Sequence, residues 1–181
     1  MIEDRLLIWK FKLGDRAALA RIYEKYKNNL LRMAGGLANR TSIAEDVVHD
    51  VFVSLASSPG QLKLGGNLKG FLATCVANRI RNSNRAAQRR EVANLDEAET
   101  LTKDSDRPEG WIIRNEELDK LNFALSQLPY EQREAVILHV QGKMKFRAIA
   151  KSLNVSINTV QSRYRYGLEK LRSLLNSEVE K

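Results

Sequence analysis

Apolar residues recur along this chain at intervals of three and four, and no stretch alternates apolar with polar residues as a half-buried strand would. The pattern predicts an all-α protein. A first helix is expected over about Ile2 to Leu13, broken by Gly14 and Asp15. A longer one follows from about Ala17 to Leu37, gathering Leu19, Ile22, Tyr23, Tyr26, Leu30, Met33 and Leu37 on one face, with Gly35 and Gly36 expected to loosen its end. Thr41 or Ser42 is placed to cap the next helix, Glu45 lying three residues after Ser42 in capping-box position. Ile43, Val47, Val51 and Leu55 form that helix's buried stripe as far as about Ala56. Ser57, Ser58, Pro59 and Gly60 then stop it, and a glycine-rich loop runs to Asn67.

The helix expected from Leu68 to about Arg90 changes character along its length. Its first half offers Phe71, Leu72, Val76 and Ile80 to a core, with Cys75 as a small residue among them. Its second half, NRIRNSNRAAQRR, is almost wholly polar. Arg81, Arg85 and Arg89 fall on one stripe at i+4 spacing, joined by Asn78, Arg79, Asn82 and Arg90. A few cations at a helix C-terminus serve the helix dipole, but this cluster exceeds that need and suits phosphates, with some base contacts from Asn. Residues 91–110 are acidic and poor in large apolar side chains, as a linker would be. Helical pattern resumes at Trp111, with Leu118, Leu121, Phe123, Leu125 and Leu128 as core. Pro129 opens a further helix carrying Glu131 and Glu134 in its early turns and burying Val136, Ile137 and Val140, and Gly142 ends it. Trp9 is expected to pack among Leu6, Leu7 and Leu13, and Trp111 beside Ile112 and Ile113.

The segment from Phe146 to Leu175 reads as helix, three-residue turn, helix. Phe146, Ile149, Ala150 and Leu153 share one stripe; Asn154 suits the left-handed turn, Val155 plugs it, and Ser156 caps the second helix. That helix buries Val160, Tyr164, Leu168, Leu171 and Leu175 and turns outward Asn158, Gln161, Ser162 and Arg165, with Ser156, Thr159 and Arg163 beside them. These side chains suit base edges and phosphates: Asn and Gln match adenine, Arg matches guanine, and Ser reaches either. No acidic residue interrupts Ser156 to Gly167.

Charge sharpens the picture. The chain of 181 residues carries a formal +8, which favours a polyanionic partner, nucleic acid first and a membrane surface as the rival. Residues 1–90 hold 16 basic and 7 acidic side chains, 91–110 hold 2 and 7, and 111–181 hold 12 and 8. Two cationic blocks thus flank an anionic one, and we expect two small helical domains, 1–90 and 111–181, joined by residues 91–110. With one cysteine, the chain has no internal disulfide or thiolate zinc site. No run approaches a membrane span, the N-terminus lacks a signal-peptide pattern, and a cytoplasmic location without membrane insertion is expected.

Four strings in this order, GDRAALARIYEKYKNNLLRMA, AEDVVHDVFVSLA, GFLATCVANRIRN and LSQLPYEQREAVIL before the helix-turn-helix, resemble the extracytoplasmic-function group of bacterial RNA polymerase sigma factors, which have only the domains called region 2 and region 4. The resemblance covers nearly the whole chain. It implies a non-enzymatic promoter-recognition subunit, with core RNA polymerase and promoter DNA as partners and no cofactor. Region 2 would dock on the β′ clamp helices through Asp46, His49 and Phe52; relatives more often have Gln where His49 stands, so docking here would depend on pH. The loop from about Gln61 to Leu68 and the helix from Phe71 to Arg90 would capture the non-template strand of the minus-ten element, flipped bases being held by stacking and hydrogen bonds. Region 4, which meets the β flap, would set Asn158, Gln161, Ser162 and Arg165 in the major groove of the minus-thirty-five element. Relatives often have Gly near Asn158 and Lys at Gln161, so their base preference does not carry over. The acidic linker would pass near template or nascent RNA, or serve only as a solvated tether. Many members are held inactive by an anti-sigma protein.

Two other readings compete. A transcription regulator that binds DNA without joining polymerase explains residues 111–181 but leaves the arginine-rich helix idle. An enzyme would need more than Asp46 and His49 at i, i+3; the second histidine, His139, follows three apolar residues, and no second ligand pair or nucleophile–base pair accompanies them, so neither catalytic nor metal-binding residues are assigned.

Overall fold

The computed structural model describes residues 2–38, 41–57, 67–93 and 116–179. Among these are eight helices and no strand: α1 (Ile2–Lys12), α2 (Arg16–Leu37), α3 (Thr41–Ser57), α4 (Leu68–Ala93), α5 (Glu116–Ser126), α6 (Tyr130–Val140), α7 (Phe146–Leu153) and α8 (Ile157–Val179). The Thr41/Ser42 cap, the loop from Ser58 to Gly66, the body of the acidic linker, the Trp111 cluster and the side chains of Arg90 and Leu118 lie outside the described residues and side chains. α4 runs three residues beyond Arg90, so its helix enters the expected linker.

In the first unit, α1 to α4, α2 is the central helix. Asp15 caps it, its carboxylate accepting from the N–H groups of Ala17 (2.8 Å) and Ala18 (3.3 Å). Ile22, Tyr26, Leu30, Met33 and Leu37 are buried along one face. α1 lies on α2 through Leu7, Ile8 and Phe11, and polar contacts fix its register: Lys25 pairs with Glu3 and Asp4, and Tyr26 Oη donates to Asp4 at 2.9 Å. α3 adds Val47, Val48 and Val51; α4 adds Leu68, Leu72, Val76 and Ile80, and Asn67 at its start accepts from the Gly70 N–H at 2.6 Å. α5 to α8 form the second unit, in which α6 packs on α8 and α7 closes one end.

The two units share one continuous apolar core, because α2 packs on α5 and α6 and α4 packs on α6. Glycines make the approach possible. A Cβ built on Gly36 would come within 2.9 Å of Ile137 Cδ1, and one on Gly142 within 3.3 Å of Ala73 Cβ. Gly36 therefore does not loosen α2, which continues through it to Leu37; it lets the second unit come close.

Several expected core positions stand outside. Trp9, Leu6 and Leu13 are exposed because α1 presents only Leu7, Ile8 and Phe11 inward. Phe123 is exposed because Leu121, Ala124 and Leu125 set the inward face of α5, continued by Leu128 in the turn that follows. Val140 is exposed at the last turn of α6. Leu168 is exposed because the inward line of α8 runs Val160, Tyr164, Gly167, Leu171, with Gly167 buried where its Cβ would meet Val136 and Leu128. Burial also reaches two charged residues, Arg133 and Glu134.

Candidate promoter-DNA interface

The turn between α7 and α8 forms as its residues dictate. Asn154 adopts φ 55°, ψ 47°, the left-handed region, and its N–H donates to the Ala150 carbonyl. Ser156 Oγ accepts from the Thr159 N–H at 3.0 Å and lies 2.8 Å from Thr159 Oγ1, which engages both hydroxyls in starting α8. Val155 is half-buried against the core.

Behind the turn, three rings fix α6, α7 and α8 to one another. His139 stacks on Phe146 with centroids 4.3 Å apart, and Tyr164 meets both edge-on at 4.8 and 5.2 Å. His139 Nδ1 stands 2.8 Å from the Met144 carbonyl; a carbonyl only accepts, so Nδ1 carries the proton. Histidine at a helix end gave no sequence signal for this role, and only the ring positions in space reveal it.

On this frame Asn158, Gln161 and Arg165 are exposed together near the start of α8, with Ser162 half-buried beside them. The Arg165 guanidinium lies over the Tyr166 ring, 5.0 Å from its centroid. Arg163 points elsewhere: it lines a cleft of about 600 Å³ between the units, with Arg81, Arg85, Tyr130, Arg133 and Glu134.

The arginine stripe of α4 is divided. Arg85 and Arg89 are exposed, as are Asn78 and Asn82. Arg79 bonds to Asp50 Oδ2 of α3 at 2.6 Å. Arg81 crosses to the second unit, donating to Glu134 Oε1 at 2.6 Å and to Asn78 Oδ1 at 3.1 Å. Burial raises the Glu134 pKa and Arg81 offsets part of that; burial and the Glu134 charge together hold the Tyr130 hydroxyl above its usual range. On α3, Asp46 and His49 are exposed, whereas Phe52 is buried and meets the Tyr23 ring edge-on at 5.0 Å. Phe52 thus supports the surface formed by the other two instead of joining it. Among the described residues no cluster of His, Cys, Asp and Glu is arranged to hold a metal, and no helix is long and apolar enough to cross a membrane.

Comparison with known proteins supplies the family. Residues 22–90 match the family model for sigma-70 region 2, and residues 118–171 match that for sigma-70 region 4. Among curated relatives, the chain is 28% identical over 168 residues to the RNA polymerase sigma factor CarQ of Myxococcus xanthus, covering 92% of this chain and 94% of CarQ. It is 27% identical to the ECF RNA polymerase sigma factor EcfG of Rhodopseudomonas palustris, covering 81% of this chain and 79% of EcfG. The chain is an extracytoplasmic-function member of the sigma-70 family. Region 2 spans most of α2 together with α3 and α4, and region 4 spans most of α5 with α6, α7 and the first two-thirds of α8. Among solved structures, the Bartonella quintana sigma factor RpoE, solved with the anti-sigma factor NepR, is similar with a TM-score of 0.64 at 26% identity, covering 86% of this chain and 97% of that one.

Proposed function

We propose that the chain directs core RNA polymerase to promoters with two reading surfaces, one on each unit. Asn158, Gln161 and Arg165 of α8 read base edges in the major groove of an upstream element, and Ser162 supports them. Asn78, Asn82, Arg85 and Arg89 of α4 take phosphates and bases of the downstream element, joined by Arg79 when it exchanges Asp50 for a phosphate and by Arg81 once the units part. Asp46 and His49 of α3 engage the polymerase. The observation that carries this reading is the exposed, acid-free start of α8 on a capped helix-turn-helix, in one chain with an arginine-rich α4. Two modules of modest affinity suffice when polymerase holds both, since binding of one raises the effective concentration of the other. An anti-sigma protein is a further partner of this reading, supported by the complex in which the similar RpoE was solved.

The test is transcription in vitro with core polymerase and genomic fragments, alongside pull-down of core by Asp46→Ala and His49→Ala variants. Factor-dependent transcripts and weakened core binding by the variants are expected. DNA binding by the protein alone, without any polymerase-dependent transcript, would favour a free-standing regulator.

A further inference from the structure

α1 lies ahead of the region 2 match and carries apolar residues on two opposite faces. Leu7, Ile8 and Phe11 are buried on α2, while Ile2, Leu6, Trp9 and Leu13 are 88, 51, 58 and 68% exposed. Leu13 continues the helical path, its N–H bonding to the Trp9 carbonyl at 3.2 Å. The outer four are spaced 4, 3 and 4, the repeat of a two-helix seam, and they form a narrow stripe. A helix apolar on both sides belongs between two neighbours, and α2 supplies one.

The rim of the stripe identifies the other. Positions beside a seam with this spacing are Glu3, Arg5, Lys10 and Lys12. Glu3 is drawn onto Lys25 of α2, and Asp4 faces the same lysine and Tyr26. The stripe is therefore flanked by cations on both sides. A second copy of α1 would bring like charges together. A helix that lies in a bilayer interface sets one apolar face against one polar face, whereas α1 is apolar on two opposite faces and α2 already covers one of them.

We propose that the outer face of α1 is a docking seam for a helix of another polypeptide, one with an apolar 3–4 stripe flanked by Asp and Glu. Carboxylates on that helix meet Arg5, Lys10 and Lys12 while its apolar residues cover Leu6 and Trp9. The seam is separate from the α4 and α8 reading faces, so the proposal does not depend on their assignment.

The test uses the full chain carrying Trp111→Phe, so that emission reports Trp9 alone. The probe is a synthetic helical peptide of about three heptads with Leu at seam positions and Glu at flanking positions. A saturable shift of emission to shorter wavelength is expected, weaker by about tenfold or more for the same peptide with Lys at the flanks, and abolished by Leu6→Ser with the helical content unchanged. Equal binding of both peptides, or no shift with either, overturns the proposal. So does an equal or larger shift with phosphatidylglycerol vesicles, which would make the face a membrane contact. Self-association in sedimentation that Leu6→Ser removes would instead assign the seam to a second copy.

Discussion

Arg81 Nη2 stands 2.6 Å from Glu134 Oε1, joining region 2 to region 4 across 53 residues of chain. The Glu134 side chain is only 3% exposed. Its carboxylate therefore depends on that guanidinium, with the Tyr130 hydroxyl 3.3 Å away, for the solvation that water would otherwise supply. The pair ties a basic side chain of the α4 stripe to a buried acid of the other unit.

Burial raises the Glu134 pKa above its ordinary 4.5 despite Arg81. The folded protein then binds more protons here than the unfolded chain does, so this group's contribution to stability is complete below 4.5 and is lost as pH rises through the raised value. Relative to Glu134→Gln, the wild type should lose stability as pH rises from 4.5 through the raised value. Urea midpoints of the two proteins across that range check the sign.

The turn scaffold can be probed at two points. A Cβ at Gly142 would fall 2.5 Å from the Leu138 carbonyl oxygen, which only backbone movement relieves. Gly142→Ala is expected to cost about 1–3 kcal/mol, and Ser156→Ala, which removes the cap on the Thr159 N–H, about 1 kcal/mol. Equilibrium denaturation of each variant measures both.

Arg165 and Arg163 should separate in DNA binding. Arg165→Ala is expected to weaken upstream-element binding by about 1–3 kcal/mol and to relax selectivity at one base position. Arg163 faces the cleft, so Arg163→Ala should leave base selectivity unchanged. Competition binding of the polymerase complex to single-base promoter variants distinguishes them.

Cys75 gives a chemical probe of unfolding. Burial pushes its thiol up to about 11, so thiolate is scarce near neutral pH. Iodoacetamide should modify the native protein slowly and the urea-unfolded chain many times faster, with mass spectrometry counting the adduct.

The features legible in the sequence were local. Asn154 and Ser156 announce the turn because their chemistry acts within three or four residues, and the 3.6-residue period announces the helices. The seam between units had no such signal. Gly36 and Gly142 have no side chain for a periodic pattern to register, and Glu134 resembles any acid in an early helical turn until Arg81 arrives from a distant helix. The same blindness explains Trp9 and Phe52: aromatic residues suggest interiors or surfaces equally, and only the rotation of α1 and α3 against α2 decides that Trp9 faces water and Phe52 faces Tyr23.

Gly36 offers a handle that none of the reading residues does. Alanine there asks only that the end of the Ile137 side chain turn aside, but a bulky side chain such as Trp would exceed that room and press region 4 away from region 2, while Asn158, Gln161 and Arg165 keep their own surroundings. A spread-apart form of the molecule is thus within reach of a single bulky substitution, on a helix face turned toward the other unit.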